Sequence, residues 1–197
     1  MTPLTLPADA ADRQPKVIAW RDYWLSHSET FIREQIDNLT NWQAISVGRR
    51  TYADPLVVPD YAPYSDSLND RIASWLPSSR RVRNRYSELL QEPDVKLVHA
   101  HFGQDGLTAL PYARRAGKPL IVSFYGMDAT SLPHRNNPRA IRYRRKLPEL
   151  FEQADALIVV SKFLGEQIEA LGAPPAKIHL IYPGTRVRPA PTSRWPG

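Results

Sequence analysis

Val95-Lys96-Leu97-Val98-His99-Ala100-His101-Phe102-Gly103 is a short apolar run that closes on two histidines and a glycine. Its aliphatic residues predict a strand over Val95–His99, and the stretch from Gly106 to Gly117 predicts a largely helical return. A strand answered by a helix is the unit of a parallel sheet, and open parallel sheets bind ligands beyond the carboxyl ends of their strands. His101 and Gly103 fall there, which makes His101 a candidate functional side chain; the alternative is a hydrogen-bonded packing residue. Strict alternation groups His99 with Leu97 and Val95 and predicts a satisfied core residue.

The same unit recurs in both directions from this stretch. Upstream, Lys16–Trp20 predicts a strand, and the polar turn Arg21 to His27 leads to a helix with Ile32, Ile36 and Leu39 on one face. Ser26 and Glu29 have the spacing of a capping box, and Ser28 is an equal candidate for the cap. Trp42–Val47 predicts a second strand, a proline- and tyrosine-rich loop covers about Tyr52 to Ser65, and one or two helices fit between Ser67 and Gln91. Downstream, strands are expected at Pro119–Phe124, Ala156–Val160 and Ile178–Tyr182. Helices are expected near Gly106–Ala116, Pro138–Gln153 and Ser161–Leu171, the last stopped by Gly172. Pro111 predicts that the first of these three helices starts late or kinks. The pattern is that of a Rossmann-like α/β domain over residues 16–184, with a mainly parallel sheet and helices on both faces. Residues 1–15 are expected to be disordered, and the proline-rich residues 185–197 to be a tail or interrupted linker.

Composition narrows the function classes. With no cysteine among 197 residues, disulfides and thiolate metal sites are excluded. Residues 1–14 lack the basic start and apolar core of a signal peptide, and no stretch approaches the length of a membrane span. The net charge of +6 is concentrated at Arg80, Arg81, Arg83 and Arg85 and at Arg139, Arg142, Arg144, Arg145 and Lys146. Solvated helix faces, an anionic membrane surface, acidic ligands and nucleic acid all suit such runs. Nucleic acid is disfavoured, because no groove-reading motif or aromatic platform accompanies the charge.

Motifs for dinucleotides, P-loop phosphates and serine hydrolysis are missing. His99 and His101 lack further ligands, so no metal and no cofactor are expected. What remains is polar chemistry at three strand ends. Ser28, Glu29 and Thr30 open the first helix, where backbone N–H groups suit an anion or a hydroxyl, although capping alone also explains them. His101 to Gly103 is the second set. In the third, Ser123-Phe124-Tyr125-Gly126-Met127-Asp128, Gly126 permits close backbone approach and Asp128 offers acceptors to sugar hydroxyls.

Taken in order, Ser28-Glu29-Thr30-Phe31-Ile32, Val98 to Gly103, Ser123 to Asp128 and Ala154-Asp155-Ala156-Leu157-Ile158-Val159-Val160-Ser161 resemble the N-terminal half of bacterial family 4 glycosyltransferases over about residues 16–184. The resemblance implies two Rossmann-like domains facing a cleft, a nucleotide-sugar as co-substrate, and an N-terminal domain that holds a glycan or lipid-linked acceptor in polysaccharide or lipopolysaccharide assembly. It implies His101 and Asp128 as catalytic residues, and Ser28, Glu29, Thr30, Phe102, Gly103, Tyr125 and Gly126 as substrate-binding ones. Tyr125 stands where many relatives carry a histidine, and a phenol does not titrate near neutrality. After Tyr182-Pro183-Gly184 the chain departs from the family with Thr185-Arg186-Val187-Arg188 and ends before a donor domain. The expectation is a truncated or isolated domain, inactive alone, with the missing C-terminal domain supplied in trans. It would be cytoplasmic, with its basic helices on the inner face of the membrane. The rival reading is a non-catalytic glycan-binding or partner module.

Overall fold

The computed structural model describes residues 14–73 and 79–184. Strands β1 (Lys16–Trp20), β3 (Gln43–Val47), β5 (Val95–His101), β6 (Leu120–Phe124), β7 (Ala156–Val159) and β8 (Ile178–Leu180) form a six-stranded sheet in the order β3-β1-β5-β6-β7-β8. Every pairing in it is parallel. A two-stranded parallel ribbon joins β2 (Tyr23–Trp24) to β4 (Arg50–Thr51). The helices are α1 (Thr30–Asp37), α2 (Leu68–Ala73), α3 (Arg80–Gln91), α4 (Gly103–Ala116), α5 (Ser131–His134), α6 (Pro138–Gln153) and α7 (Lys162–Ala170). This is the Rossmann-like α/β architecture that the strand-helix alternation predicts.

Strand order decides where the site lies. From β1 the chain steps outward to β3, then returns past β1 to β5 and continues to β8. The order therefore reverses between β1 and β5, and the crevice beyond their carboxyl ends is the place such folds bind ligands. Right-handed crossovers put α1 on one face of the sheet and α3, α4, α6 and α7 on the other. Packing agrees: α4 touches both α3 and α6. Gly106 of α4 meets Val122 and Gly165 of α7 meets Val159, and these two strand residues lie on one face by register. The coverage of the two faces is thus unequal.

On the face with several helices, Ile18, Val98, Ala100, Val122, Phe124 and Leu157 pack against Tyr86, Leu90, Leu147, Leu150 and Phe151 in one core cluster. Each such side chain contributes about 1.5–3 kcal/mol when fully buried. On the other face a smaller cluster holds Ala19, Trp24, Leu25 and Ile32.

Several elements differ from the sequence expectation. Strand β5 runs two residues longer and takes in His101, so α4 starts at Gly103, earlier than expected. Helix α4 also runs through Pro111, which is exposed, so the carbonyl left without a helical donor is on the solvent side. The β2–β4 ribbon and α5 were not expected. The ribbon forms because Trp24 and Leu25 are driven inward, the Asp22 carbonyl accepts the N–H groups of Arg49 and Arg50, and Tyr23 stacks on Tyr52 at 3.7 Å. Leu39, expected on the buried stripe of α1, lies beyond that helix and is exposed. Gln14 and Pro15, expected in the disordered segment, are tied to Thr40 and Gln43. Residues 1–13 and 185–197, the rest of that segment and the proline-rich tail, lie outside the described residues.

Candidate functional site at the strand-order reversal

Arg21 leaves the end of β1 at the reversal point and organises the loops around it. Its guanidinium donates to Glu29 Oε1 at 2.7 Å and to Asp105 Oδ2 at 2.6 Å, and lies 4.5 Å over the Phe102 ring. Burial opposes its charge, but Asp105 and Glu29 more than offset that and hold the guanidinium ionised. Burial also pushes Asp105 up to about 8; Arg21 pulls it down and Asp22 pushes it up. Asp22 is likewise raised by burial, although Thr108 and Trp20 donate to its carboxylate.

This arrangement gives Glu29 the capping role that the sequence left open beside ligand binding. Glu29 is 8% exposed, and its second oxygen accepts the Ser26 N–H at 3.0 Å, half of a capping box. The Ser26 hydroxyl turns to Ser28 instead of the helix. Glu29 thus spends both oxygens inside the protein, while Ser28 and Thr30 remain exposed on the rim.

Between β5 and α4, Phe102 adopts φ +76° and ψ 144°, a backbone conformation that suits glycine. A residue held there costs on the order of 1–3 kcal/mol and persists only where the surroundings fix it. Asp128 supplies much of that fixing. Its Oδ2 accepts Gly103 N–H at 2.9 Å, and its Oδ1 accepts the N–H groups of Gly126 at 3.0 Å and Tyr125 at 3.2 Å. Asp128 is fully buried, so it faces no cleft and its acceptors are already taken. Burial raises its pKa, against the pull of the backbone donors. Gly103 is also buried: a Cβ there would stand 2.6 Å from Phe124 and against the Tyr143 hydroxyl. Close packing, not approach to a ligand, demands glycine at 103. At Gly126 an added Cβ meets nothing, but φ is +152°.

The histidines invert the expected contrast. Two residues apart on β5, they share one face, with ring centroids 4.4 Å apart. His101 is 1% exposed and its Nδ1 shares a hydrogen bond with Tyr125 Oη at 2.8 Å; its Nε2 is buried with no partner among the described residues. His99 is the half-buried one, its Nε2 2.8 Å from Ser123 Oγ. Burial lowers both, His99 to about 4 and His101 well below its ordinary value, so both imidazoles are neutral at pH 7.

The three strand-end loops do come together. Tyr125 lies 4.7 Å from Phe31, the neighbour of Thr30, and 4.9 Å from Phe102, ring centre to ring centre. Beside this aromatic rim runs a groove of about 430 Å³ lined by Phe31, Glu34, Gln35, Ser123, Tyr125 and Tyr182. An apolar floor with a few convergent polar groups is the usual make-up of a small-molecule site. Burial keeps the Tyr125 phenol un-ionised, a hydrogen-bonding group and not a base. Glu34 brings a carboxylate to the groove. Sequence reading missed it, as it missed Arg21 and Asp105; helical spacing from Ile32 and Phe31 places Glu34 near the rim, but nothing local links residues 21 and 105. Among the described residues, no cluster of three or more His, Asp or Glu side chains offers a metal site, and no helix is long and apolar enough to cross a membrane.

Solved structures share this fold. HepE of Anabaena in complex with UDP and glucose superposes with a TM-score of 0.58 at 12% identity, over 87% of this chain and 45% of its own. The lipopolysaccharide outer core galactosyltransferase WaaB, in its apo form, matches with a TM-score of 0.54 at 17% identity, over 85% of this chain and 45% of its own. The UDP-N-acetylglucosamine 2-epimerase of Rickettsia bellii matches with a TM-score of 0.51 at 15% identity, over 84% of this chain and 44% of its own. The chain therefore spans less than half the length of these structures, and the fold by itself does not separate transfer from epimerisation. No curated protein matches the sequence. The model of Glycosyltransferase Family 4 matches residues 46–188, which include β5, α4, the Asp128 clamp and the β6–β8 edge of the sheet, and the chain belongs to that family.

Proposed function

We propose that this chain is the acceptor-side domain of a glycosyltransferase that moves a sugar from a nucleotide-sugar to a glycan or lipid-linked acceptor in polysaccharide or lipopolysaccharide assembly. The observation that carries the reading is the aromatic cluster of Phe31, Phe102 and Tyr125 with the groove beside it, which runs between α1 and the ends of β6, β7 and β8. Aromatic faces pack against the C–H faces of sugar rings, and Tyr125, Ser123 and Gln35 supply hydrogen bonds to hydroxyls. Among the described residues the groove has no cation to hold a diphosphate, which favours an acceptor over the donor's nucleotide as its occupant. The exposed Arg139, Arg142, Arg145 and Lys146 on α6 suit the anionic surface on which lipid-linked acceptors reside.

His101 and Asp128 act at one remove in this reading. His101 holds the Tyr125 hydroxyl and Asp128 fixes the two loops, so both are positioning residues. A non-catalytic glycan-binding module would use the same groove. A panel of immobilised oligosaccharides, probed with the 197-residue chain and with Tyr125→Phe and Phe31→Ala, tests the acceptor role, and calorimetry with UDP- and GDP-sugars tests the donor. Glycan binding weakened about tenfold or more by either substitution, with no sub-micromolar nucleotide-sugar binding, is the expected result. Tight nucleotide-sugar binding without glycan binding would overturn it.

A further inference from the structure

Helix α1 turns two faces to the rest of the domain. Ile32 and Ile36 pack into the smaller core cluster, whereas Phe31, Glu34, Gln35 and Asn38, spaced three and four residues apart, form a stripe along the groove of about 430 Å³. Among the described residues Glu34 is the one charged side chain that lines this groove, in a chain whose net charge is +6.

The Glu34 carboxylate is also uncommitted. No ion pair or hydrogen bond reaches it among the described residues, and although the residue is half-buried, neither oxygen is sealed. Its neighbour Arg33 is turned to Asp37, Nε to Oδ2 at 3.2 Å, and the Asn38 side-chain amide donates to the Glu34 main-chain carbonyl at 2.6 Å. Glu29 differs, since its two oxygens are taken by Arg21 and Ser26.

Aromatic rings of Phe31, Tyr125 and Tyr182 line the same groove. A carboxylate beside aromatic faces is the chemistry that holds an ammonium group, by charge-assisted hydrogen bonds and by attraction to the ring faces. It repels a uronate or a sugar phosphate, because like charges brought together without a cation between them are unfavourable. Size sets a second limit. On the scale at which about 150 Å³ holds a benzene-sized molecule, the groove takes roughly seventeen non-hydrogen atoms, one hexose ring and part of a second.

We propose that the groove selects an amino sugar with a free amine, its ammonium held by Glu34 and its ring against Phe31 and Tyr125. This rests on the reading of the groove as an acceptor site and makes Glu34 the residue that sets acceptor specificity. N-acetylation removes the charge and with it the preference.

Calorimetry of the 197-residue chain tests this with three disaccharides that share one linkage and ring framework: that of glucosamine with both amines free, its N-acetylated form, and cellobiose. The amine form is expected to bind at least about tenfold more tightly than either neutral form. Glu34→Gln keeps the size and helix propensity of the side chain and should bring the three within about threefold of one another. Neutral disaccharides that match the amine form would overturn the selectivity and leave the acceptor reading standing, and a preference that survives Glu34→Gln would remove Glu34 from it. Ethanolamine bound as tightly as the glucosamine disaccharide would assign the groove to a bare ammonium and overturn the sugar. Absence of binding by all three disaccharides up to about 10 mM would overturn the acceptor reading together with this inference.

Discussion

Asp128 receives the N–H of Gly103 at 2.9 Å across 25 residues of sequence, and through that bond the loop after β6 fixes the first turn of α4. The same carboxylate holds Tyr125 and Gly126, while its own carbonyl accepts the Tyr143 hydroxyl at 2.8 Å. One buried carboxyl group thus locks two strand ends and one helix. Asp128→Asn turns one acceptor into a donor facing N–H groups, and we expect it to lower stability by about 2–4 kcal/mol. Urea unfolding should show a lower midpoint with an unchanged slope; a midpoint equal to that of the parent would remove the clamp from the account.

Phe102 reverses an ordinary ranking. Glycine is normally less stable than alanine in a folded chain, but at φ +76° the Cβ carries the penalty. Phe102→Gly is therefore expected to be more stable than Phe102→Ala by about 1 kcal/mol, although both lose the contact with Arg21. Equal or reversed midpoints in urea would mean that the loop relaxes out of the strained conformation.

At Gly103 the constraint is steric. Gly103→Ala places its methyl against Phe124 and Tyr143, and a cost of about 1–3 kcal/mol follows. Tyr143→Phe removes the crowding hydroxyl, so the double variant should be destabilised by less than the sum of the two single changes. Strict additivity in a thermodynamic cycle would contradict the contact.

The sheet was legible because each of its main strands is a compact apolar run answered by a helix, from Lys16–Trp20 to Ile178–Leu180. Local sequence also marked the three loops that meet at Tyr125. What it hid was non-local. The Arg21–Asp105 ion pair joins residues 84 apart, and the β2–β4 ribbon depends on Trp24 finding Ala19 and Ile32. The histidine contrast failed for a different reason. Alternation places His99 and His101 on the same face, and depth along the strand, which periodicity does not report, decides which is more buried. His101→Ala should accordingly cost more stability than His99→Ala, by about 1 kcal/mol or more, because it empties the more deeply buried of the two positions and strips Tyr125 of its hydrogen bond.

Stability should pass through opposing pH regimes. His99 and His101 have folded pKa values below their unfolded ones, so between about pH 4 and 6.5 the unfolded chain binds more protons at these sites and their contribution rises with pH. Asp105 has the opposite sign. Its folded value, about 8, lies above its unfolded one, so the folded chain binds the extra proton and stability from this group falls as pH rises toward 8. Asp22 and Asp128, also raised, act in the same direction. Above about pH 7 the histidines are mostly neutral in both states, and the Asp105 contribution is left exposed. From pH 7 to 8 we expect a loss on the order of 1 kcal/mol in urea unfolding, since one proton is worth about 1.4 kcal/mol per pH unit. Asp105→Asn keeps the shape and removes the proton, and should flatten that window while leaving the acid limb set by the histidines. A slope that survives Asp105→Asn would assign the alkaline loss to Asp22 or Asp128; no slope in the parent would mean that Arg21 holds Asp105 ionised throughout.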